Sequence, residues 1–199
     1  MKKVLMFVLS ALFVVSLAAS AGTNRATVIS RPPVLLVIGP IESIDRVHGR
    51  AVVLGQSVSI DANAQISPYE ITGLYGLVEA NGFQIVSSVQ SHVIYIPGLT
   101  PTLLTGIVEK SEPKLARITV GTAIVDLTNT LSTGHAEVPA VGTLVQLVGI
   151  QPVERGIILA DAIRVGSQEI ANGSLLETLN LSQLGLDESG ITGSGVPLP

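Results

Sequence analysis

ARITVGTAIVDL at residues 116–127 and RAVVLGQSVSID at residues 50–61 say nearly the same thing. Each holds an apolar alternation, a glycine and a second alternation, and Gly121 falls 66 residues after Gly55. Alternation with period two marks a strand with one buried face. A glycine between two such runs allows a sharp bend without a Cβ. The stretch predicts a strand–turn–strand unit written twice.

The repetition extends outward. Before the first copy, residues 35–45 read as a strand interrupted by Gly39-Pro40; residues 57–61 close it, and a loop around Pro68 and residues 73–96 follow. In that last run Asn81-Gly82 separates two apolar stretches, a strong hairpin signal because both residues tolerate positive φ. Pro97 and Pro101 then break the chain. Residues 103–111 repeat the first strand, with Ile107 under Ile41, and residues 123–127 repeat 57–61. Residues 141–150 repeat 71–80, and residues 155–165 repeat 81–91, with Arg155-Gly156 at the Asn81-Gly82 turn and Ala162-Ile163 under Ser88-Val89.

A three-strand meander, a connector and a hairpin are the strand content of an OB-like small barrel, and closure removes exposed edges. The expected fold is all-β: two tandem five-stranded OB-like barrels at residues 35–97 and 98–166. A signal peptide at 1–21, an N-terminal arm at 22–34, and a short helix with a flexible tail at 167–199 complete the expected organisation. The chain is 47% hydrophobic but only 3% aromatic, so the core must be Val, Ile, Leu and Ala, of which the β-branched members suit sheets.

The pattern resembles a family of exported bacterial domains of unknown function with small OB-like barrels. Its recurring phrase, G-x-x-V-x-V-x-G followed by A-x-x-I, is fitted best by residues 142–149, with Leu147 at the second V, and by Ala160 and Ile163. The first copy departs from it, with Glu79 where Gly149 stands and Ser-Ser-Val at 87–89. The resemblance covers residues 35–165. It implies a fold and an exported setting, and no activity.

Export is also read from the N-terminus. Lys2 and Lys3 precede an apolar run at 4–18, and Ala19-Ser20-Ala21 offers small residues for cleavage after Ala21. The run falls short of a comfortable membrane span. Cleavage leaves 178 residues with a net charge near −6 rather than −4, and no cysteine. The expected destination is a bacterial periplasm or the exterior, with folding by burial alone. Single-strand nucleic-acid binders stack bases on aromatics over a basic groove. With Phe83, Tyr69, Tyr75 and Tyr95 as the remaining aromatics and a negative charge, no nucleic-acid partner is expected. Neither is a membrane span after cleavage.

Chemistry-bearing motifs are sparse. Asp45-x-x-His48 lies in the first hairpin turn, where Asp, His and Gly are ordinary turn residues. His92 lies in a strand, and His135 with Glu137 in a loop. No catalytic, cofactor-binding or metal-ligating residue is assigned, and no cofactor is expected. Residues 174–186 switch to helical spacing, with Ser174 and Glu177 as a capping box and leucines on one face. The expected function is an exported, non-enzymatic module, periplasmic, surface or matrix, that binds a protein or glycan. Self-association through residues 175–186 or the arm at 26–30 is a further expectation. A metal-binding enzyme or hydrolase using His135, Glu137, Asp45 and His48, or a small-ligand carrier, are the alternatives.

Overall fold

A computed structural model describes residues 33–60, 68–79, 82–133, 137–172 and 175–186. The expected signal peptide and tail, nearly all of the arm, and Asn81, His135 and Ser174 lie outside them. All described residues fall in one compact unit. The described residues hold ten strands: β1 (Val34–Asp45), β2 (Arg50–Val53), β3 (Gln56–Ser59), β4 (Glu70–Glu79), β5 (Gly82–Ile94), β6 (Pro101–Glu112), β7 (Arg117–Val120), β8 (Ala123–Asp126), β9 (Leu144–Ile150) and β10 (Ile158–Val165). Helices α1 (Thr128–Ser132) and α2 (Ser167–Asn172) are short.

The second half closes. β6, β7 and β8 form an antiparallel meander. β10 lies parallel to β8 and antiparallel to β9. β9 returns to β6 along a continuous ladder from Pro101↔Ile150 to Ile107↔Leu144. The result is a closed five-stranded barrel, as expected for residues 98–166.

The first half pairs its strands in the order β3-β2-β1-β4-β5, but among the described residues no ladder joins β3 to β5. The ring expected at residues 35–97 is therefore an open strip there. β1 also runs unbroken through Gly39-Pro40. Gly39 is needed because a Cβ there would lie 2.4 Å from the Leu54 side chain.

Ladder register gives a position-by-position match between the halves. β1 bulges between Ile41 and Ser43, and β6 between Val108 and Lys110, so Glu42 matches Glu109 and Ile41 matches Val108 rather than Ile107. Gly76, not Glu79, matches Gly149. Each precedes a bulge in the following hairpin, and at each an added Cβ would stand 2.1 Å from a carbonyl oxygen, of Gln84 or of Leu159. The hairpin glycines are one step out of register: Leu54-Gly55 turns the first hairpin and Gly121-Thr122 the second. They meet in space instead. Thr122 donates its N–H to the Gly55 carbonyl at 3.2 Å, and a Cβ on Gly121 would lie 2.6 Å from that oxygen.

The same matching explains the open strip. Inside the closed barrel, Ile118, Val145, Ile163 and Val165 are aliphatic; their counterparts are Ala51, Thr72, Ser88 and Gln90. These four line a cavity of about 30 Å³ between β2, β3, β4 and β5, room for about one water. Sealing β3 to β5 would enclose an amide and two hydroxyls in an otherwise apolar core, which costs free energy unless each is hydrogen-bonded. Thr72 Oγ1 is already buried without a partner.

One hydrophobic cluster runs through both halves, uniting Leu36, Val53, Leu54 and Leu74 with Leu104, Val120, Val125 and Leu147. A second covers the outer face of β1, β4, β6 and β9. There Leu35, Ile38, Ile71, Leu103 and Val148 meet Leu175, Leu179, Leu184 and Leu186. The helix expected at 174–186 is replaced by a 3-10 turn at Leu175–Thr178 and tight turns after Asn180. Leu175, Leu179, Leu184 and Leu186 are buried on the chain's own sheet rather than left for a neighbouring copy. Gln146 Oε1 pins the segment by accepting the Leu175 N–H at 3.2 Å.

Two substitutions should act in opposite directions. Gly149→Ala forces a Cβ onto backbone that cannot yield and should cost about 3 kcal/mol. Thr72→Val removes an unpartnered buried hydroxyl at nearly constant shape and should stabilise by about 1 kcal/mol. Urea unfolding of both variants checks the signs.

Candidate functional site

Bulges re-aim side chains, and the bulge in β1 delivers Glu42 to the seam between the halves. Its Oε2 accepts the Gly55 N–H at 3.1 Å. Burial holds the Glu42 carboxyl above the ordinary carboxylate range, opposed by the Gly55 amide, the Arg155 charge and a hydrogen bond from Gln151; the Glu154 charge reinforces the rise.

The loop joining β9 to β10 supplies the opposite wall. Arg155 holds a left-handed backbone (φ 56), and its Nη2 donates to the Glu42 main-chain carbonyl. Gln151 is buried and anchors the loop's base. Its Nε2 donates to the Gly156 carbonyl at 3.0 Å, and its own carbonyl accepts the Gly98 N–H at 2.8 Å. Beneath it Tyr95, also buried, donates to Gln151 Oε1 across a long 3.5 Å. Burial, with the nearby Glu42 and Glu154 charges, pushes the Tyr95 hydroxyl up to about 12. The Glu154–Arg155 pair, at 3.9 Å and exposed, contributes little.

Between the walls lies a cleft of about 260 Å³, lined chiefly by Glu42, Thr122, Ile124, Gln151, Arg155 and Ile157. It offers a carboxylate, a guanidinium, an amide and a hydroxyl over two aliphatic side chains. The arrangement suits hydrogen-bonded recognition of a polar ligand.

The residues weighed from sequence lie elsewhere. Asp45 and His48 form the β1–β2 turn: Asp45 Oδ1 accepts the Val47 and His48 N–H groups at 3.1 Å each, and Oδ2 stands 2.6 Å from His48 Nδ1. The His48 side chain, followed by its amide, holds the Asp45 carboxyl below its ordinary value. His92 is exposed on β5, and Glu137 is exposed in the stretch before β9, with His135 outside the described residues. Among the described residues no three His, Cys, Asp or Glu side chains gather closely enough to hold a metal ion. No described helix is long and apolar enough to cross a membrane. Glu42, Gln151 and Arg155 were missed. The available signal was Glu42 itself, an acid within the apolar run of β1.

Comparison with protein-family profiles, curated proteins and solved structures finds no match.

The Tyr95 hydroxyl gives the site a pH signature. Its folded value of about 12 exceeds the ordinary 10.0, so the folded state holds a proton that the unfolded state releases. Stability falls as pH rises from about 10 to about 12, by about 2–3 kcal/mol in all. Tyr95→Phe should flatten that part of a stability-against-pH curve measured by chemical denaturation.

Proposed function

We propose that the protein is an exported, non-enzymatic β module of the periplasm, cell surface or matrix that binds a glycan through the cleft between Glu42 and Arg155. The observation carrying this reading is the make-up of the cleft: a carboxyl, an amide, a guanidinium and a hydroxyl gathered beside two aliphatic side chains at one end of the barrel. Vicinal sugar hydroxyls both donate and accept, and a carboxylate, an amide and a guanidinium side by side match that alternation. The location is favourable too. We read each half as a copy of one OB-like unit, closed in the second and open in the first, and the β9–β10 loop occupies the place of the L45 loop by which OB-folds bind oligosaccharides. Support for the doubling comes from the matched bulges at Glu42 and Glu109 and the matched glycines at 76 and 149. The exported setting rests on the N-terminal sequence and on the resemblance of residues 35–165 to small exported barrels.

A protein partner is the second reading, favoured by the exposed Val153, Leu99 and Ile96 near the same loop. Main-chain groups of an extended peptide could use the same polar side chains.

Titrating the protein with neutral and acidic oligosaccharides, followed by amide NMR shifts, tests the proposal. Shifts should concentrate at residues 42, 122–124 and 151–157. Arg155→Ala and Glu42→Gln should each weaken binding about tenfold or more, whereas Glu137→Gln leaves it unchanged. Shifts with extended peptides alone would replace the glycan by a protein partner. Shifts outside the cleft, or the same affinity after both substitutions, would remove the cleft from the function.

A further inference from the structure

Two isoleucines in the cleft are out of place for a strand surface. On β8, Ala123 and Val125 are buried, while Ile124 between them is 44% exposed. An outward strand position is ordinarily polar, and the matched position of the first half is Ser57, exposed on β3. Ile157, half-buried at the entry to β10, joins Ile124 in the cleft lining. A lone exposed aliphatic needs no explanation. Two of them beside a carboxyl and a guanidinium in one hollow make a seat for a small apolar group attached to a polar ligand.

The polar walls narrow what that group is. Glu42 accepts hydrogen bonds from the Gly55 N–H and from Gln151, and a carboxylate has more acceptor sites than these two. On the other wall Arg155 gives one N–H of Nη2 to the Glu42 main-chain carbonyl, and its exposed guanidinium has further donors. Gln151 is committed to the Gly156 carbonyl and the Tyr95 hydroxyl, so it positions the walls. We infer that the cleft selects 2-acetamido sugars: the acetamido N–H donates to the Glu42 carboxyl, its carbonyl accepts from Arg155, and its methyl rests on Ile124 and Ile157. The inference rests on the glycan reading above and names the sugar class. An acetamido group carries a donor, an acceptor and a methyl within one planar unit, matching all three features of the cleft. A plain hydroxyl engages one wall or the other and gives the isoleucines nothing.

Isothermal titration calorimetry of the purified protein with the N-acetylglucosamine trimer and with cellotriose compares two neutral β-1,4 trimers that differ only at C2. The acetylated trimer should bind about tenfold tighter, the joint effect of a buried methyl and a paired amide. Its N-formyl analogue keeps the amide, lacks the methyl, and should bind about fourfold weaker than the acetyl form. Ile124→Ser should shrink that acetyl-over-formyl difference to about twofold or less and leave cellotriose affinity unchanged, with circular dichroism confirming the fold. Equal affinity for the acetylated trimer and cellotriose overturns the inference and leaves the glycan reading standing, whereas binding of neither removes both. Acetyl and formyl forms that bind alike, or a folded Ile124→Ser variant that keeps the full difference, take away the methyl seat and the inference with it. If the variant fails to fold, the three sugars on the unmodified protein decide the matter.

Discussion

Burial on both faces of β1 and β6 is the constraint from which the rest of the architecture follows. Val37 and Leu104 face the cluster shared by the two halves, while Leu35, Ile38 and Leu103 face the leucine cover. The strands meet antiparallel at Ile38↔Leu103, so the first strand of each half is also the junction between them. A strand with no solvent side cannot alternate polar and apolar residues, which is why LLVI and LVQLVGI are nearly unbroken aliphatic runs. The few polar groups there are satisfied internally: Gln146 Nε2 donates to Thr105 Oγ1 at 3.1 Å, and Thr102 Oγ1 to the Gly149 carbonyl at 3.0 Å.

Given that junction, two similar strand sets reach different ends. The closed barrel has an interior of branched aliphatics, and its β8–β10 ladder completes the ring. In the open strip, Ala, Thr, Ser and Gln at four matched positions remove the apolar gain that would drive closure. The hairpin turns then lock the halves together. A Cβ on Gly121 would press on the Gly55 carbonyl and one on Gly55 on the Ala123 amide, and Gln56 Nε2 reaches across to the Val120 carbonyl at 3.2 Å.

Much of this was legible in the residues. Period-two alternation and turn glycines located every strand of the second half, and strand order followed from the meander and hairpin. Register was not legible, because aligning glycine on glycine is a statement about sequence, whereas a ladder counts bulges. One bulged glutamate in each first strand, and the one-residue shift of the hairpin glycines, moved the match from Ile107 to Val108 and from Glu79 to Gly76. The cleft escaped for a related reason. Glu42, Gln151 and Arg155 are far apart in the chain and have no motif spacing; only the bulge and the left-handed Arg155 bring them together. Asp45 and His48 drew attention by proximity in sequence, and proximity is what makes them a plain turn.

The leucine cover has a consequence for how the protein is made. Residues 175–186 follow every strand they shelter, so the ribosome has already emitted β1, β4, β6 and β9 before their outer face can dry. Until residues 175–186 dock, that face is an adhesive aliphatic surface, of the kind that sticks incompletely folded chains to one another. A chain that ends short of Leu186 therefore leaves one side of that sheet wet and hydrophobic.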